Sequence, residues 1–122
     1  MNDYVLPAAV RRLIDEALES MDHVELLFRI SQAAEVTTEG LARDAHLEPS
    51  RVAKVLRDLE QAQLITGEAG SHRVTRNPRN RAAIADFAAT YNARPVTLIR
   101  AVYARPTALH SFADGTRLRR ED

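Results

Sequence analysis

Apolar residues recur at helical spacing in several separate stretches of this chain, interrupted once by a short segment with a β-like pattern. After Pro7, the residues Val10, Leu13, Ile14, Ala17 and Met21 follow at steps of three and four, while Arg12, Asp15, Glu16 and Glu19 occupy the opposite face. The pattern predicts an amphipathic surface helix over residues 7–20, with Pro7 at its first position. A second helix is expected to start at Asp22, with Glu25 three residues on completing a capping box. Val24, Leu26, Leu27, Phe28, Ile30, Ala33 and Ala34 cover most of its circumference. Only Glu25, Arg29 and Gln32 form a polar strip, which places this helix at the centre of the core.

A third, short helix is expected over 38–45, with Thr37 as its cap and Leu41 and Ala42 facing inward. A fourth starts at Pro49 and ends near Ala62. Residues 64–68 and 72–76 read as two short strands around Ala69–Gly70, the tip of a β-hairpin. Asn77–Pro78, a cap followed by a proline, opens a helix to about Tyr91, and Pro95 opens another to about Ala104. Beyond that point, over 105–122, periodicity is lost and a solvated tail is expected. There is no internal repeat.

Composition narrows the class. A chain of 122 residues with 45% hydrophobic and 28% charged residues fits one globular domain. The absence of cysteine excludes disulfides, thiolate metal sites and a cysteine nucleophile. No apolar run is long enough to span a membrane, and the first residues do not look like a secretory leader, so a cytoplasmic protein is expected. The net charge is zero, yet its distribution is uneven. Residues 1–50 carry four Arg against ten acids (4 − 10 = −6), and residues 51–105 carry ten Lys and Arg against four acids (10 − 4 = +6). A segregated basic half is the electrostatic footprint expected of a polyanion binder.

The fourth helix sharpens that expectation. At about 100° per residue, Val52, Val55, Leu56 and Leu59 form one stripe, and Ser50, Lys54, Arg57 and Gln61 cluster opposite, within roughly 60° of one another. That face holds two cations and two neutral hydrogen-bonding groups and no acid. Arg, Lys, Gln and Ser are side chains that pair with base edges or phosphates. Arg51 and Asp58 flank the face, and Lys54 and Asp58 stand at i,i+4 spacing. Arg73 and Arg76 lie on or just after the hairpin. From Pro49 to Arg81 the balance is seven cations against three acids, or +4.

Three helices followed by a two-stranded hairpin is the order of a winged helix-turn-helix. The segment TTEGLARDAHLEPSRVAKVLRDLEQAQLI resembles the corresponding region of winged helix-turn-helix transcriptional regulators, broadly of the MarR and ArsR type. Shared features are a Thr-rich cap, a Leu-Ala pair, a tight turn and a Ser-x-Val-x-Lys helix start, and the resemblance covers about residues 22–76. Three positions depart from it. His46 and Gln63 stand where glycine is common, and Glu48 stands where Ser or Asp would cap better. The resemblance implies a mainly α fold with a short β-hairpin wing and extra N- and C-terminal helices, binding double-stranded DNA as a transcriptional regulator. The candidate DNA-binding set is Thr38, Ser50, Arg51, Lys54, Arg57, Gln61, Arg73 and Arg76. Regulators of this type usually read paired half-sites as dimers. The expected homodimer uses the helix over 7–20 and the helices over 78–104, where Ala82, Ala85 and Ala89 form a second, small apolar face.

Other chemistry finds little support. His23, His46, His72 and His110 show no ligand spacing, and Asp22 and Glu25 are accounted for as helix caps, so no metal site and no cofactor are expected. The cysteines through which ArsR-type repressors often sense metals are missing. No Gly-rich phosphate loop and no nucleophile motif occur, so an enzyme is not expected. The alternative is a winged helix serving as a protein-interaction module through its acidic half or its apolar C-terminal helices, without specific DNA binding. The sequence names no effector ligand.

Overall fold

The protein, seen here as a computed structural model, is described over residues 6–105. Among these residues are six helices and three strands: α1 (Ala8–Glu16), α2 (Met21–Ser31), β1 (Val36–Thr37), α3 (Thr38–Ala45), α4 (Pro49–Gln61), β2 (Ile65–Glu68), β3 (Ser71–Val74), α5 (Pro78–Ala93) and α6 (Pro95–Tyr103). The strands form one antiparallel sheet in the order β1-β3-β2, with Val36 opposite His72 and Ile65 opposite Val74. This is a mainly α winged helix with a hairpin wing, as expected, and the hairpin is widened to a three-stranded sheet. Strand β1 is an addition, because two residues carry no readable alternation.

Helix α2 occupies the middle, packed against α3, α4, α5 and β3. Its inward residues Val24, Leu26, Leu27 and Ile30 are fully buried, and its polar strip survives as expected. The expected C-terminal extension does not. The helix ends at Ser31, whose hydroxyl donates to the Phe28 carbonyl, and Ala33 and Ala34 lie exposed beyond it. Its start also differs. Ser20 caps α2 by accepting from the His23 N–H at 3.4 Å, while Asp22 is held by Arg51, and Glu25 by Arg29 and Tyr91. The capping box at Asp22 and Glu25 is therefore replaced by a serine cap. Serine reaches the free N–H groups, and both acids are drawn to cations or a hydroxyl.

Helix α1 is shorter than the pattern suggested. Pro7 precedes its first turn, and the helix stops at Glu16 because Ala17 turns out at φ −139°. The amides of Ala17 and Leu18 both reach the Leu13 carbonyl, which swings Leu18 into the core at full burial. At the other end, Arg105 is not part of a solvated tail. It is buried and donates from Nη2 to the Asp15 carbonyl at 2.8 Å, closing the chain onto the end of α1. The rest of the expected tail lies outside the described residues.

The two positions where glycine was missing adopt the left-handed geometry regardless. His46 has φ 58° and Gln63 φ 65°. After α3 the Leu47 N–H reaches the Ala42 carbonyl, and after α4 the Leu64 N–H reaches the Leu59 carbonyl, both at 3.0 Å. Each helix thus ends in a Schellman closure, sealed by a leucine returning to the core. A left-handed L-residue costs about 1–2 kcal/mol, partly offset by the backbone entropy that glycine would lose. Gln63→Gly should therefore raise unfolding stability by about 0.5–1 kcal/mol in denaturant titrations. An unchanged or lowered midpoint would contradict the closure.

Candidate nucleic-acid interface

Helix α4 begins at Pro49 without a side-chain cap from Glu48, so its first turn is held by other means. Val52, Val55, Leu56 and Leu59 are all buried, and this stripe fixes the roll of the helix on α2 and α3. Ser50, Lys54, Arg57 and Gln61 are consequently exposed together on the far face. Among the described residues, Ser50, Arg57 and Gln61 make no side-chain hydrogen bond or ion pair, so their polar groups point to solvent unspent.

The other two cations of α4 are engaged. Arg51 is half-buried, donating from Nε to Asp22 at 2.8 Å and from Nη2 to Ser20 Oγ at 3.2 Å. It ties the first turn of α4 to the start of α2. Lys54 donates to Asp58, which also meets His23 Nε2 at 2.9 Å. Burial raises the Asp58 carboxyl, but the hydrogen bonds and charge of Lys54 and the bond to His23 outweigh it and hold Asp58 below the usual aspartate value. The i,i+4 spacing made the Lys54–Asp58 pair visible in the sequence. His23 was missed, although an imidazole among Val24, Leu26 and Leu27 on the central helix was a readable signal.

The wing turns at Ala69–Gly70, both left-handed at φ 55° and 82°. This is the two-residue turn that suits the twist of a hairpin. On the inner face His72 lies 3.3 Å from Glu60 of α4 and packs against Gly67. A Cβ at Gly67 would collide with Glu60 Oε2 and fall 2.9 Å from the His72 ring, so a larger residue there would have to push both side chains aside. Arg73 and Arg76 are exposed, Arg73 lying 4.0 Å from Glu68 and Arg76 without a partner among the described residues. Both line, with Arg81 and Ile84, an open cavity of about 600 Å³ between the end of α2, β3 and α5. Thr38, half-buried, opens α3 beside the sheet.

The structure therefore gathers Ser50, Lys54, Arg57 and Gln61 on one surface, and sets Arg73 on the wing and Arg76 just beyond it, before the Asn77 cap of α5. No family model and no curated protein matches the chain. Among solved structures it is similar to the MarR family protein Rv2887 of Mycobacterium tuberculosis, with a TM-score of 0.54 and 23% identity. The match covers 91% of this chain and 86% of that one. The fold is MarR-like. At that identity the likeness concerns the path of the backbone alone. No helix among the described residues is long and apolar enough to cross a membrane.

The different engagement of the α4 cations predicts different stability effects. Arg51→Ala should lower unfolding stability by about 1 kcal/mol, since it removes a half-buried ion pair and a bond to the α2 cap. Arg57→Ala should change it by less than about 0.5 kcal/mol. Equal losses in thermal melts would contradict the assignment of Arg51 as the tie.

Proposed function

We propose that the chain is a DNA-binding transcriptional regulator that lays α4 in the major groove and sets its hairpin on the phosphate backbone. The observation that carries this reading is the face of α4. Arg57, Ser50 and Gln61 stand exposed and unpartnered among the described residues, on a helix whose roll is fixed by four buried residues. A side chain that has not been paired within the protein has no internal bond to break on turning to a base edge. Lys54 joins the interface once it leaves Asp58, and Arg51 serves chiefly by fixing the first turn. Arg73, Arg76 and Thr38 complete the set on the phosphates, since they lie on the wing, just after it and at a helix start. The fold shared with a MarR family protein supports the same reading.

Paired half-sites call for two copies. The surface we assign to the second chain is the exposed Ala82, Ala85 and Ala89 of α5 with Val96 and Tyr103 of α6, which are 60% and 74% exposed. An apolar surface of this kind on adjoining helices is suited to a two-fold interface.

Duplexes selected from a random pool should bind with an affinity that falls steeply with salt, two chains per duplex by sedimentation. Arg57→Ala should cost about 1–3 kcal/mol and relax sequence preference. Neutralising Arg73 or Arg76 should lower the salt slope by about one for each phosphate no longer neutralised. Absence of duplex binding, or an affinity unmoved by Arg57→Ala, would overturn the reading in favour of a protein-interaction module.

A further inference from the structure

Behind the exposed face of α4, three side chains from three parts of the chain converge. Glu19 stands in the turn between α1 and α2, His23 in the first turn of α2, and Asp58 on α4. One ligating atom from each lies within 4.8 Å of the other two. We propose that Glu19, His23 and Asp58 form a site for a divalent transition-metal cation of the zinc type, and that the Lys54 ammonium stands in for that cation in the metal-free chain.

His23 is the centre of the argument. It is 1% exposed, on a helix face otherwise made of valine, leucine and isoleucine. Its Nδ1 lies 2.7 Å from Ser20 Oγ, and its Nε2 is aimed at the carboxylates, 2.9 Å from Asp58. A metal-binding histidine is arranged this way, with one nitrogen held by a second partner so that the other is oriented. Ligation needs the lone pair on Nε2 and the proton on Nδ1, whose bond to Ser20 Oγ would replace the long 3.4 Å contact from the His23 N–H, since the hydroxyl oxygen also accepts from Arg51.

The donor chemistry selects the ion. Imidazole suits zinc, nickel and copper, whereas magnesium and calcium favour oxygen alone. Three protein ligands leave a fourth position for water. Tetrahedral donors around zinc stand about 3.4 Å apart. The separations here, from 2.9 Å up to 4.8 Å, bracket that value, and the exposed Glu19 is free to close the larger gap. Two carboxylates and a divalent cation also balance in charge. The neighbouring Asp22 takes no part, because Arg51 holds it.

A cation on Asp58 displaces Lys54 toward the exposed face of α4. The effect on DNA binding rests on the regulator reading above, whereas the metal site does not. The test therefore uses tag-free protein without DNA. Zn²⁺ titrated by calorimetry should bind at one ion per chain, and Co²⁺ should give visible absorption of a four-coordinate site. Glu19→Gln should weaken binding at least tenfold. Lys54→Ala should strengthen it several-fold, since the competing ammonium is gone. Both substitutions are at exposed positions, and circular dichroism checks their fold. No saturable binding, or binding that neither substitution changes, would overturn the proposal.

Discussion

The burial of Val52, Val55, Leu56 and Leu59 is the constraint on which the rest depends. A helix has no preferred roll of its own, and the apolar stripe of α4 supplies one by locking against α2 and α3. Once that roll is set, the surroundings of every polar residue of α4 follow. Ser50, Arg57 and Gln61 are turned to solvent, Arg51 toward the start of α2, and Asp58 toward His23. The same stripe carries the Schellman closure at Gln63, which returns the chain as Leu64 and launches the wing. Packing thus decides which charges are free to act.

The chain also shows how charge counts mislead when partners are ignored. The sequence places three cations on α4, yet two of them are engaged within the protein by Asp22 and Asp58. Exposed ion pairs contribute little to stability, but they change which side chains are ready to meet a phosphate. The wing is tied by different means. Gly67 lets the His72 ring close on the end of α4 near Glu60, so the position of the hairpin depends on the helix it accompanies.

Much of this was legible in the sequence because it rests on periodicity and local caps. The stripe of α4, the Thr37 cap of α3, the Asn77 cap and the prolines opening α4, α5 and α6 all act within a turn or two of the chain. What the sequence hid was decided by residues far apart. Asp22 looked like a helix cap until Arg51, 29 residues later, claimed it. Arg105 looked like the start of a tail until it met the end of α1, 90 residues earlier. Strand β1 exists because β3 offers it an edge, and two residues are too few to announce that. The exposed face of α4 was readable from angular arithmetic alone, whereas the separation of free from engaged cations required the fold.

The central claim is that the solvent face of α4 meets duplex DNA. It is tested most directly by titrating short duplexes into isotope-labelled protein and following the amide resonances. The account predicts the largest shifts and broadening at Ser50, Arg57 and Gln61, with a second group at the hairpin tip around Gly70. Resonances of α4 that stay unmoved, while shifts gather on α1 or α6, would contradict it.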